Sequence, residues 1–532
     1  MSVTALVLLA SLAAPAAGGR ECATLATREA LRRGFPAAAS ALLERPWAEE
    51  LESHSDSATL PLRVHLGVAV DPTRAAATLA ILENAWAMQV TDAGFDPPLA
   101  DATDGSSDGG DARFDAYLVP LPPGTGALTV ALEDANPTDG KRASPAFLKI
   151  DPTLPDELFE VYLHHEFQHA LQFALDTREG LMVSEATAVF WEVRARPDVD
   201  EWQLALADFQ GHPQAPLFTD GAAFAPWAET LAPRIEYGAV LFALYLEEVH
   251  GSGDGALLAQ LWRGAVQADD ITDNEPDWLD ALAAQGVDVD AALPDFAGWR
   301  ALVGPLSVAD DGPIEEVAAG ALLGAEVVAA NTLDGQEETS APRSGPFQLG
   351  CLVRQFEAPA NVVTLPVRVR AEATLEGQTL AVATLLTVPG SGSATRAVLG
   401  RGALVEGELE APPGAIVQVA FCDTSPADAE DAPEPRPIRL SLLRTDVDWP
   451  DAGPPVEDAG TPEGDAGPPP PPDPVCTCQS SGGPTNLRKG LYVFGLLVSV
   501  VMLVVRGGRA RRRKRLYSRS PTDEGPGHLV DR

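Results

Sequence analysis

Basic residues are scarce in this chain. Lys and Arg number 37 against 77 Asp and Glu, a formal net charge of −40 over 532 residues. Phosphate backbones are held by basic patches, so nucleic acid is not an expected partner. The one dense basic cluster, Arg509 to Arg515, follows an apolar run near the C-terminus and reads there as a topology signal. Six Tyr and nine Trp leave little material for an aromatic-rich binding surface, while an apolar fraction of 45% rules out a wholly disordered chain. Cysteine is scarce and odd in number, so the five Cys cannot all pair internally. Cys351 and Cys422 share a strand-rich stretch and are the expected disulfide, with two buried thiols as the alternative reading.

Long hydrophobic runs occur only at the ends. Residues 3–17 (VTALVLLASLAAPAA) have the length of a signal peptide and end in the small-residue pattern Ala14-Pro15-Ala16, although a basic stretch ahead of them is missing. Gly19, Arg20 and Glu21 before Cys22 do not form a lipid-attachment box. Residues 491–505 (LYVFGLLVSVVMLVV) follow Lys489 and precede an Arg-rich stretch. This predicts a short transmembrane helix at 490–506, a basic cytoplasmic tail at 507–532 and the bulk of the chain outside the cytoplasm. Ahead of it, Asp-Ala-Gly recurs at Asp451, Asp458 and Asp465 in a Pro-rich acidic stalk, 446–475. The order Cys476-Thr477-Cys478, short apolar span and Arg cluster resembles the MYXO-CTERM sorting tails of myxobacterial surface proteins. That resemblance implies a sorting protease as a partner of the tail.

Between the ends, the patterning predicts an α+β domain followed by an all-β one. After a signal peptide at 1–19 and an N-terminal helical segment at 20–60, strand-like alternation at 62–70, 112–121, 127–132 and 146–150 frames a helix at 73–87. Helical periodicity then runs from 155 almost to 302. The expected catalytic domain spans 61–305, a mixed sheet followed by a helical bundle, with residues 295–299 as a core element closing it. Short β-branched runs with Gly and Pro turns at 345–443 predict a sandwich-like accessory domain over 318–445.

The chemistry starts at 155–175, PDELFEVYLHHEFQHALQFAL, a helical pattern containing H-E-F-Q-H. On a helix, His165 and His169 fall on one face a turn apart, where two neutral imidazoles grip one zinc ion, and Glu166 beside them takes a proton from water. His164 points about 100° away from His165 and reads as a packing or surface residue. His65, His212 and His250 have no motif around them. The stretch after His169, ALQFALDTREG, lacks the Gly and His of the metzincin pattern and excludes that class.

A second helix, set off by Gly180 and ended by Pro197, reads S-E-A-T-A-V-F-W-E from Ser184 to Glu192. It resembles the E-x-x-A helix of gluzincins, with Ser184 in place of Asn and Ala186 in place of Gly. The resemblance implies Glu185 as third zinc ligand, Ala188 as the small residue of a close helix contact and Glu192 as the second acidic position. Spacing supports the pairing separately: in a hairpin turning near Thr177, His169 and Glu185 each lie eight residues from the turn, at one height. Glu192, two turns on, is a reserve ligand or orients a ligating imidazole. Tyr237, opening the apolar helix YGAVLFALYLEEVHG, is similar to the gluzincin Tyr that stabilises the tetrahedral intermediate; its other reading is core packing. Residues 145–152 (PAFLKIDP) are the candidate edge strand for an extended substrate. Residues 101–111 (DATDGSSDGGD) lack EF-hand spacing and read as an acidic loop.

These residues together resemble the secreted gluzincin-type metalloproteases of myxobacteria. The resemblance implies a zincin-like fold and a secreted or surface-anchored peptidase that cleaves a peptide or protein substrate through zinc-activated water with Glu166 as general base. The alternative is a surface adhesion or binding protein with a structural or inactive zinc domain.

Overall fold

The computed structural model describes residues 21–22, 44–46 and 50–445, with interruptions of which 101–108, 133–142, 267–275 and 308–322 are the longest. The signal-peptide stretch, the stalk, the apolar run at 490–506 and the tail lie outside the described residues, as does most of the acidic loop at 101–111. Among the described residues no helix is long and apolar enough to cross a membrane.

The architecture is mixed α+β. Strands β1 (Glu21–Cys22), β2 (Leu51–Asp56), β3 (Leu62–Gly67), β4 (Phe114–Leu118), β5 (Thr125–Ala131) and β6 (Ala146–Ile150) form one sheet in the order β1-β5-β6-β4-β3-β2. β3, β4 and β6 run parallel, whereas β5 runs antiparallel to β6 and β2 antiparallel to β3. β3, β4 and β6 are buried at every position, the mark of strands covered on both faces. This corrects the expectation for 145–152. Its strand β6 is interior, between β4 and β5.

Helix α1 (Pro72–Ala85) opens with the Asp71 carboxylate accepting from Thr73 N–H and with Pro at its first position, both of which favour a helix start. It continues into a wider π-helical turn, Trp86–Asp92. The 20-residue helix α2 (Asp156–Leu175) has Asp156 and Glu157 in its first turn, favourable to the helix dipole, and packs on β5 and β6. Gly180 precedes helix α3 (Leu181–Ala195), and Pro197 follows just beyond its end, where a residue without N–H cannot continue it. The helical half continues with α4 (Leu206–Gly211), α5 (Ile235–Gly238), α6 (Val240–Tyr245), α7 (Ala256–Gly264), α8 (Trp278–Ala284) and α9 (Val289–Arg300).

The remaining strands are β7 (Glu326–Val327), β8 (Glu338–Thr339), β9 (Cys351–Glu357), β10 (Leu365–Ala373), β11 (Leu380–Thr387), β12 (Ala394–Gly402), β13 (Leu404–Ala411), β14 (Ile416–Asp423) and β15 (Ile438–Arg444). They form two sheets, β13-β10-β15-β8 and β12-β11-β14-β9-β7. Val367, Val369 and Leu440 from the first share a buried cluster with Val382, Val417 and Val419 from the second, so the two sheets enclose one core. The outer face of the second sheet is also covered. Helix α9 packs on β11, β12 and β14, and Val353, Leu385 and Ala420 join the same buried cluster as the helices of the first half. Cys351 and Cys422 are bonded to each other and sit directly opposite on β9 and β14, inside that shared core.

Candidate metal centre and its surroundings

The five-residue connection at 176–180 brings α2 and α3 side by side. Glu185 Oε2 lies 3.1 Å from His165 Nε2 and 3.6 Å from His169 Nε2, and the two Nε2 atoms are 3.1 Å apart. Equal distance from the turn does bring His169 and Glu185 together, and His165, one turn back on α2, completes the group. Each is buried: His165 and Glu185 are 1% exposed and His169 0%. His165, His169 and Glu185 form the group able to hold a metal ion among the described residues.

Both imidazoles are oriented from behind. His165 Nδ1 is 2.5 Å from Glu192 Oε1, so Glu192 stands behind a ring and does not enter the ligand set. His169 Nδ1 is 2.7 Å from Gln172 Oε1. The Gln172 amide is fixed in that sense because its Nε2 donates to Ser184 O at 2.9 Å and to Thr187 Oγ1 at 2.8 Å. Trp262 Nε1, from α7, donates to the same Thr187 hydroxyl at 3.1 Å. Gln172 Oε1 only accepts, as does Glu192 when ionised, which favours the tautomers with the proton on Nδ1 and the Nε2 lone pair turned inward.

That leaves three acceptors facing one another with no proton between them, an arrangement a cation satisfies. Tetrahedral zinc, with bonds of about 2.0–2.1 Å, places its ligand atoms about 3.3 Å apart. The three distances found here bracket that value, and two imidazoles with a carboxylate are a donor set zinc accepts. Protonated imidazoles can take the cation's place: burial pushes the Glu185 carboxyl up, but hydrogen bonds and positive charge from His165 and His169 outweigh it and hold the group down at about 2. Glu192 is raised, chiefly by burial, and the nearby Glu185 and Glu166 carboxylates add to the rise.

Glu166 is wholly buried next to His165 on α2. Thr129 Oγ1, from β5, lies 2.7 Å from its carbonyl oxygen and 2.8 Å from Oε2. Periodicity marks Thr129 as one face of a strand but does not show which helix that face meets. Tyr237 stacks on His165, ring centroids 6.2 Å apart and planes 19° from parallel. It is delivered by the short α5, and the next residue has to be Gly: a Cβ at Gly238 would come within 2.6 Å of Ala205 O and 2.5 Å of Phe209 Cβ.

Behind Glu192 the polar chain continues. Burial, and secondarily Glu192, push the Glu201 carboxyl up to about 7, against the hydroxyl of Tyr162, which donates to Glu201 Oε1 at 2.9 Å. His164 stays apart from the metal group: its Nε2 is 3.4 Å from Asn84 Nδ2 of α1, and burial lowers its pKa to about 4. Gln172, Thr187 and Glu201 were not singled out by motif. Gln172 was the most readable of them, three residues after His169 and so on a neighbouring helix position.

No family model matches the chain, and no curated protein matches it. Among solved structures it is similar to CorA, a surface-associated copper-binding protein important in copper acquisition in Methylomicrobium album BG8. The identity there is 6%, with 23% of this chain and 97% of that one covered at a TM-score of 0.17. It is also similar to the pre-peptidase C-terminal domain of a collagenase from Bacillus anthracis, at 11% identity over 22% of this chain and 93% of that one, TM-score 0.14. At these scores neither likeness carries an argument.

Proposed function

We propose that this chain is a zinc-dependent peptidase with a zincin-like catalytic half of gluzincin type and a sandwich-like accessory half. The observation that carries the reading is the convergence of His165, His169 and Glu185, with both imidazoles oriented through Nδ1 and Glu166 alongside. His165 and His169 through Nε2 and Glu185 through Oε2 would hold the ion. When bound, zinc supplies Lewis acidity and lowers the pKa of water toward neutrality. Glu166 is the residue that takes the proton from the attacking water and passes it to the leaving amine, while Thr129 keeps its carboxylate in place. Tyr237, stacked on His165, brings a phenol hydroxyl to the same region to stabilise the oxyanion. Glu192 and Gln172 hold the imidazole tautomers and do not react.

The reading includes export, with the apolar run at 490–506 as a membrane or sorting anchor and the acidic stalk carrying the folded part away from it; these rest on the sequence. The test is cleavage of casein and of a quenched peptide by the zinc-loaded full-length chain, beside Glu166→Gln. Cleavage by the parent that disappears in Glu166→Gln while zinc is retained supports the peptidase. Retained zinc with no cleavage by either leaves a surface-binding protein with a structural metal.

A further inference from the structure

Arg300, the last residue of α9, is a charged side chain only 6% exposed. Its Nε donates to Gln210 Oε1 at 2.7 Å and its Nη2 to Phe209 O at 2.7 Å, both on α4. The Gln210 amide is fixed in that sense, because its Nε2 donates back to Arg300 O at 2.9 Å. The guanidinium lies 4.1 Å from the Phe209 ring centroid and 5.4 Å from that of Phe296. All of these partners are neutral and offer it partial charge only. No carboxylate pairs with Arg300 among the described residues, and burial, with no acidic neighbour to offset it, lowers its pKa to about 9. The group is still a cation at neutral pH, and a buried cation calls for a counter-charge.

Beside it is space for one. Arg300 lines a cavity where the helical half meets the sandwich, walled by Leu293 and Phe296 of α9, by Ala215 and Leu349, and by Cys351 and Val353 of β9. Arg300 Nη1 makes no hydrogen bond among the described residues, so the fork keeps donors uncommitted while its other arm is held by α4. Nearby backbone donors are already used: Cys351 N donates to Pro213 O and Leu349 N to Asp423 O. The cavity has room for about one water-sized occupant. That size admits a monatomic anion and excludes phosphate, sulfate and the carboxylate of a peptide. A water molecule would accept a hydrogen bond and leave the charge uncompensated between apolar walls.

From these observations we propose that Arg300 and this cavity bind a halide ion, chloride being the common one, which neutralises the guanidinium and ties α4 and α9 to β9. The inference goes beyond the peptidase reading and does not depend on it, since neither zinc nor turnover enters. Urea unfolding of the full-length chain at constant ionic strength tests it, with chloride replacing gluconate, an anion too large for the cavity. An ion held only by the folded state stabilises that state by mass action. Raising chloride about 100-fold through the binding range should therefore lower the unfolding constant about tenfold or more, with a limiting logarithmic slope of about −1. Bromide should act in the same way. Arg300→Met keeps an unbranched side chain and removes the charge, and its unfolding constant should not respond to either halide.

A parent chain whose unfolding ignores chloride would overturn the proposal. So would a chloride slope that survives in Arg300→Met, the mark of an adventitious ion only. Should Arg300→Met lose its cooperative transition, Ala215→Val narrows the cavity and leaves Arg300 in place. It should shift the chloride dependence to concentrations at least tenfold higher, and an unshifted dependence would place the ion outside this cavity and overturn the site.

Discussion

His165 has its two nitrogens committed in opposite directions, Nδ1 to Glu192 and Nε2 to the space shared with His169 and Glu185. Replacing Glu192 by Ala removes the group that fixes this tautomer, and zinc affinity should fall about 10- to 100-fold in a competitive chelator titration. Tyr237→Phe keeps the ring against His165 and removes only the hydroxyl. We expect kcat to fall by about 10²–10³ with little change in KM; an unchanged kcat would assign Tyr237 to packing. Glu201 makes a pH prediction. Its carboxyl, raised from 4.5 to about 7, holds a proton in the folded chain that the unfolded chain has released. Its contribution to stability is full below about pH 4.5 and is lost as pH rises through about 7. Thermal unfolding of the parent measured against Glu201→Gln should show the parent losing ground over that window, and parallel curves would contradict the assignment. His165 and His169 were legible because helix periodicity converts their spacing into a shared face, Glu166 because it stands inside the same motif, and Glu185 through its resemblance to the gluzincin helix and its distance from the turn. Thr129 and Glu201 were not, because each acts on a partner that only the tertiary fold brings near.

At the scale of elements, the site is a product of two helices and one strand. Helix α3 holds α2 through Thr187, whose hydroxyl receives both Gln172 and Trp262, so one small side chain ties the His169 tautomer to α7. Thr187→Val leaves two buried donors without an acceptor and should cost about 1–3 kcal/mol per orphaned group, measured by denaturant unfolding, together with a loss of zinc affinity. Strand positions were readable in the sequence to within a few residues, but the order of strands was not. Residues 145–152 present an apolar run that suits an edge or an interior strand equally, and neighbours on both sides decide for the interior. β2, LESHSD, has mostly exposed side chains and carries no hydrophobic alternation to reveal it.

Across the whole molecule, the change from helical to β-patterned sequence is visible near residue 320, but the physical core does not stop there. Val353, Leu385, Ala420 and the Cys351–Cys422 disulfide sit in one buried cluster with α9, and Arg401 reaches Asp288 and Asp290 across the same contact. We therefore expect a single calorimetric transition for the two halves. Cys351→Ala/Cys422→Ala opens a loop with a sequence separation of 71 residues and should lower the stability of both halves together, by about 2–4 kcal/mol. The central claim is that α2 and α3 bring together a zinc site. The zinc content of the full-length chain after zinc loading and dialysis tests it most directly, with Glu185→Ala measured alongside. One zinc per chain, lost in Glu185→Ala, is the result this account predicts; a parent chain that retains no zinc would contradict it.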